Sequence, residues 1–182
     1  MSRKLILYIA ASVDGYVATE ADSLDWLFES EGEGDNGYFA FYETIETILL
    51  GRRTYDWILE KEKDHFPYKD KTCYVFSKTP ASPTEWVEFV STDAISFTKQ
   101  LKEEEGGPIW LVGGGALIQP LLKAGLVDEL IVTYAPALIG RGIRLFNPDD
   151  YQFRLTLKGM KQYGQMAELH YEVKTQGNRE SI

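Results

Sequence analysis

The sequence predicts an α/β fold: a central, mostly parallel mixed sheet flanked by helices, with antiparallel strands at the C-terminal end. Three features lead to this. Apolar runs of strand length alternate with stretches of helical spacing as far as Leu122, the order that crossovers in a parallel sheet produce. Two of those runs, residues 47–50 and 109–112, pass through glycine straight into helical spacing, at Gly51 and at Gly113-Gly114-Gly115. From Leu126 onward helical spacing disappears and strand-like segments follow one another.

Taken in order, residues 4–11 are apolar enough for a strand buried on both faces, and Asp14-Gly15 supplies a turn before Tyr16-Val17-Ala18. The small residues Ala10, Ala11 and Ser12 leave room either for a flat ring or for a closely packed helix. Residues 23–28 fit a short helix capped by Asp22 or Ser23, and the acidic, glycine-rich residues 29–37 read as a loop beside a cleft. In residues 38–45, Phe39, Tyr42 and Ile45 recur at helical spacing, which predicts one inward aromatic face on a helix capped by Asp35 or Asn36. The strand at 47–50 leads into a helix with Tyr55, Ile58 and Leu59 on one face. Residues 71–76 form a strand stopped by Pro80 and Pro83. Residues 86–90 form another, and 93–104 an amphipathic helix with Phe97 and Leu101 inward, broken at Gly106-Gly107-Pro108. A strand at 126–134, a loop at 136–144 and an antiparallel pair at 151–158 and 166–174 complete the order.

A length of 182 residues with 44% hydrophobic content suits one domain, expected over 1–175, with 176–182 as a frayed tail. The first residues read as a strand rather than a signal peptide, and no apolar run reaches the length of a membrane-spanning helix. Cys73 is the sole cysteine, so a reducing cytoplasm is the expected compartment. With only His65 and His170 beside it, no zinc site is expected. A net charge of −9 argues against nucleic acid as a partner, because displacing counterions from phosphates needs a basic face.

Anion binding can still arise where basic residues gather. Gly51, Arg52, Arg53 and Thr54 follow one predicted strand, Ser77 and Lys78 a second, and Gly113, Gly114 and Gly115 a third. In open sheets ligands bind beyond the carboxyl ends of strands, so the three turns are expected along one edge. Arginine pairs bidentately with phosphate, and bare N–H groups at a helix start add to the same site. The alternative for Arg52-Arg53 is a solvated surface pair, and for the glycines a close-packed corner. Taken together the three turns suit a dinucleotide with an extra phosphate, NADPH. The spaced glycines and distant acid of the ordinary dinucleotide fingerprint do not fit Gly113-Gly114-Gly115.

The segments Ala10 to Ala18, Gly51-Arg52-Arg53-Thr54-Tyr55 and Val112-Gly113-Gly114-Gly115 resemble the cofactor-contacting segments of the dihydrofolate reductase-like fold. Further on, Gly125-Leu126-Val127-Asp128-Glu129-Leu130, Pro136-Ala137-Leu138-Ile139-Gly140-Arg141-Gly142 and Leu145-Phe146 resemble the reductase domain of bacterial riboflavin biosynthesis. The resemblance implies Ala10 and Val17 near the nicotinamide and Arg52, Arg53 and Thr54 at the cofactor phosphates. It places Ser77 and Lys78 near the 2′-phosphate, and Gly113, Gly114, Gly115, Ala116, Leu117 and Ile118 over the pyrophosphate and nicotinamide ribose. The His and paired Cys ligands of the deaminase partner domain are not in this sequence, which implies a stand-alone reductase.

On the substrate side Asp35 has two readings. It falls where folate reductases carry the carboxylic acid that assists protonation, and it is also suited to cap the next helix. Trp26, Trp57, Phe39 and Tyr55 are candidates to stack on a heterocycle or to fill the core. The expected activity is hydride transfer from NADPH to a uracil or pterin type heterocycle or an aminosugar. The uracil-type substrate is a phosphoribosylamino-uracil by resemblance, and the nearest alternative is dihydrofolate. A non-catalytic NADPH sensor is the alternative of another class. The apolar C-terminal strands make a homodimer the expected assembly.

Overall fold

Strands buried on both faces have no reason to alternate, and the leucine- and isoleucine-rich runs of this chain form the middle of its sheet. Leu5, Leu7, Ile48, Leu49, Leu50, Ile109 and Leu111 are fully buried. The computed structural model describes residues 2–63 and 65–174, so the expected tail lies outside the described residues. The elements are β1 (Leu5–Ser12), β2 (Tyr16–Ala18), α1 (Asp25–Phe28), α2 (Tyr38–Thr44), β3 (Thr47–Gly51), α3 (Arg52–Glu62), β4 (Thr72–Phe76) and β5 (Glu88–Val90). They continue with α4 (Ala94–Glu103), β6 (Ile109–Gly113), α5 (Gly115–Lys123), β7 (Glu129–Ala135), β8 (Ile143–Arg144), β9 (Leu155–Tyr163) and β10 (Met166–Val173).

The eight-stranded sheet runs β5-β4-β3-β6-β1-β7-β10-β9. From β5 to β7 every pairing is parallel, and β10 and β9 add antiparallel strands, as the sequence predicts. Leu101, Leu117, Leu121 and Leu122 from α4 and α5 pack with Leu5, Leu7, Leu49 and Leu111 on one face. Tyr55 and Ile58 of α3 pack with Ile6, Ile48, Leu50 and Trp110 on the other, where Tyr8 stacks on Phe41 of α2 at 3.9 Å. Among the described residues, no helix is long and apolar enough to cross a membrane and no cluster of His, Cys, Asp and Glu is placed to hold a metal ion.

Several expectations are corrected. Helix α1 is a single turn whose cap position is Leu24, while Asp22 sits in left-handed backbone at φ 58 and Ser23 Oγ accepts the Asp25 N–H. Phe39 points outward, 63% exposed, because Tyr38, Phe41 and Tyr42 are the α2 residues packed on the core. Strand β9 lies several residues later than expected. Gly164, at φ 59, and Gln165 form a two-residue hairpin turn that sets Tyr163 opposite Met166 and so draws residues 159–163 into the sheet. Inside the expected loop at 136–144, Ile143 and Arg144 pair with Ala18 and Tyr16 to make a small second sheet.

Pairing at the start of β7 joins the approach to β1 with β10. Glu129, buried, accepts from Lys4 Nζ at 2.5 Å and lies 2.7 Å from His170 Nε2. Burial pushes this carboxyl up, but Lys4 and His170 outweigh it and hold the group below its ordinary 4.5. A lowered folded value means that the pairing stabilises the fold above that pH and loses its effect as pH falls through the folded value. Urea unfolding of Glu129→Gln is therefore expected to show a loss of about 1–3 kcal/mol at pH 7, shrinking as pH falls below the ordinary carboxylate value. A loss that stays constant over that range would contradict the assignment.

Candidate active site

β3 is followed by α3 on one face of the sheet and β6 by α5 on the other. The neighbouring strands β3 and β6 therefore send the chain in opposite directions, and such a switch point opens a crevice beyond the strand ends. A cleft of about 830 Å³ lies there, within the usual range for cofactor pockets of about 300–1,000 Å³. It is lined by the ends of five neighbouring strands: Val90 of β5, Phe76 of β4, Gly51 of β3, Gly113 of β6 and Ala10 of β1.

All the residues expected to hold a cofactor line this one cleft. Ala10 and Val17 stand at the β1 end. Gly51, Arg52, Arg53 and Thr54 lie in the middle, facing Gly113, Gly114, Gly115, Ala116, Leu117 and Ile118. Ser77 and Lys78 stand at the β4 end, beside Ser91 and Thr92.

In the middle the backbones nearly touch. A Cβ on Gly51 would lie 3.4 Å from the Gly113 carbonyl oxygen, and one on Gly114 would lie 3.6 Å from both Gly51 Cα and Thr54 Oγ1. Gly113 and Gly114 adopt φ 142 and φ 99, the latter well inside the region that side chains avoid. Helices α3 and α5 consequently begin side by side, and the positive ends of both face the cleft. Neither helix start has a side-chain cap.

Among the described residues, four cations, Arg52, Arg53, Lys78 and Arg144, line the cleft against one carboxylate, Asp22. Arg52 bonds Asp56 and lies over the Phe89 ring at 5.2 Å, while Arg53 bonds both oxygens of Asp22 at 2.8 Å. Ser77 is nearly buried, and its hydroxyl donates to the Thr79 carbonyl. Trp57 lines the cleft and donates to the Asp22 carbonyl, whereas Tyr55 is core and Phe39 is exposed. Two uncapped helix starts with four cations, flanked by flat apolar ends at Ala10 and Phe76, fit an anionic dinucleotide.

A second cleft of about 310 Å³ adjoins the first, and the two share Ile9, Ala10 and Leu27. Its wall includes Tyr8, Ser30, Asp35, Asn36, Thr133 and Met166. Asp35 Oδ1 accepts the Gly37 N–H at 3.1 Å and Oδ2 the Phe39 N–H at 2.7 Å, so the carboxylate holds the start of α2 while lining the cleft. Gly37, rather than Asp35 or Asn36, occupies the cap position itself. Burial pushes the Tyr8 hydroxyl up, so it stays protonated.

Sequence reasoning missed Thr133 in this wall and Glu168 behind it. Ala10, Thr133, Glu168 and Lys161 lie in register across β1, β7, β10 and β9. Glu168 is buried, which pushes its carboxyl up despite Lys161, Thr133 and His170, and its Oε2 lies 3.5 Å from Thr133 Oγ1. The signal was available: an acid on the same face as His170 in an alternating strand is unusual unless it has a partner. Arg144, hidden in what reads as a loop, carried no such signal.

Residues 3–169 match the family of the RibD C-terminal domain, and the chain belongs to that family. The uncharacterized protein YwjB of Bacillus subtilis is 48% identical over 172 residues, 94% of this chain and 98% of its own. A Shewanella sp. PV-4 protein provisionally ascribed to riboflavin biosynthesis superposes with a TM-score of 0.82 at 27% identity, over 96% of this chain and 100% of its own. Dihydrofolate reductase of Enterococcus faecalis, solved with NADP(H), gives 0.64 at 18% identity over 96% and 100% of the two chains, a likeness of fold.

The glycine contact is testable. Gly114→Ala is expected to lower stability by about 1–3 kcal/mol in urea unfolding, from the strain of a side chain at φ 99. An unchanged midpoint would mean that the turn relaxes and does not hold the helix starts together.

Proposed function

We propose that this RibD C-terminal domain protein is a reductase that uses NADPH to reduce a small, planar, nitrogen-containing heterocycle or the sugar such a heterocycle carries. The observation that carries the reading is the junction of the two clefts at Ala10, where a long cationic groove meets a short one with uncharged donors. When bound, the reduced nicotinamide would supply a hydride. The N–H groups at the starts of α3 and α5 would hold its pyrophosphate, and Arg52 and Arg53, with Ser77 and Lys78, its 2′-phosphate. Ala10 and Val17 would give its ring a close, flat floor. The double bond of the acceptor would take a hydride at carbon and a proton from solvent water at nitrogen or oxygen. Tyr8 and Thr133 would orient that acceptor through their hydroxyls, and Asp35 through its carboxylate. The chain's contribution is thus mainly placement of donor against acceptor.

Family membership suggests a phosphoribosylamino-uracil as acceptor, and the fold's folate members suggest a pterin. NADPH oxidation assayed with each separates them, and NADPH binding without turnover of either would favour a sensor.

The cofactor half of the reading is tested by replacing both arginines. Arg52→Ala with Arg53→Ala is expected to weaken NADPH about 10- to 100-fold, and NADH much less, since only NADPH brings the extra phosphate. Equal losses for the two cofactors in a fluorescence titration would move the anion site elsewhere.

A further inference from the structure

The charge of the two clefts is divided sharply. Among the described residues, four cations line the first, whereas Asp35 is the one charged residue lining the second. The chain segments that build the second cleft explain why. No lysine or arginine occurs between Lys4 and Arg52, between Lys123 and Arg141, or between Lys161 and Lys174. These stretches contain β1, the acidic loop with Glu29, Glu31, Glu33 and Asp35, β7, and β10.

A phosphoryl group carries close to two negative charges and is bound where arginine, lysine or free N–H groups at a helix start meet it. Among the described residues, the second cleft offers none of these. The N–H groups of Gly37 and Phe39 at the start of α2 already donate to Asp35. The nearest cation in the register row is Lys161, exposed on β9 and two strands beyond Thr133, roughly 10 Å at ordinary strand spacing. The buried Glu168 stands between them. Tyr8, Ser30, Asn36 and Thr133 offer hydroxyl and amide groups, and Asp35 an acceptor, which suit the amide and amino edges of a neutral or cationic ring.

We propose that the acceptor taken by the second cleft is a heterocycle without a phosphate, neutral or cationic. This rests on the reading of the first cleft as the cofactor site, and it departs from the phosphorylated acceptor that family membership suggests. Discrimination would come from Asp35, which repels a phosphate, with no cation among the described lining residues to pair it.

The test is direct binding, independent of cofactor, by calorimetric titration of the full chain with two matched pairs. One pair is 5-amino-6-(ribosylamino)uracil and its 5′-phosphate, the other dihydroneopterin and its monophosphate. In at least one pair the phosphate-free member is expected to bind about tenfold tighter or more, and Ser30→Lys is expected to narrow or reverse that ratio. Binding of neither pair would overturn the proposal. So would a phosphorylated member that binds as tightly as its partner or more tightly, with Lys161→Ala showing whether Lys161 is its anchor. NADPH titrated separately reports on the first cleft, so a failure there is distinguishable from a failure here.

Discussion

At the ends of β3 and β6 two backbones meet with no side chain between them. A Cβ at Gly51 would stand 3.4 Å from the Gly113 carbonyl oxygen, and one at Gly114 3.6 Å from Gly51 Cα. Because α3 departs to one face of the sheet and α5 to the other, this contact is what allows both helices to begin at one spot. Their uncapped N–H groups then add a diffuse positive charge to that of Arg52 and Arg53. A side chain at Gly114 would be strained at φ 99, whereas one at Gly51 would meet only ordinary van der Waals contact. The location of the long cleft, its sign and its width all follow from backbone contact.

The partition of charge follows from the same geometry. Cations come from the segments after β3 and β4 and from β8, all of which open onto the long cleft, while β1, β7 and β10 contribute none to the short one. The central strand β1 belongs to both, and small residues at its end let the two clefts join at Ala10. A reductase needs such a junction, because hydride transfer requires direct contact between donor and acceptor carbons. The arginines are not idle in this state. Arg53 engages Asp22, which lies beside Trp57, so an arriving phosphate would exchange with a carboxylate.

The long cleft was legible in the sequence because each of its parts is local. Gly51 to Thr54, Ser77-Lys78 and Gly113 to Ile118 are contiguous passages from strand to helix or loop, and the strand order carries them to one edge. The parallel sheet and its antiparallel finish were legible for the same reason. The short cleft was not, since Tyr8, Asp35, Thr133 and Met166 come from four separate segments that only the sheet register aligns. Asp35 shows the limit well: a helix start and a cleft wall ask for the same residue type, and only its bonds to Gly37 and Phe39 show what it holds. The position of β9 depended on a hairpin turn at Gly164, which composition alone does not distinguish from Gly159. Phe39 was misdirected because spacing identifies a helical face but not which of two aromatic faces meets the core.

The central claim is that the nicotinamide end of a bound dinucleotide lies at Ala10, where the two clefts join. Isotope-filtered NMR on protein with labelled alanine and valine methyls, in the presence of NADP⁺, measures this directly. The account predicts nuclear Overhauser contacts from the nicotinamide protons to the methyls of Ala10 and Val17, with the adenine protons near Val90. Nicotinamide contacts at Val90 instead, or no contact with either end, would contradict it.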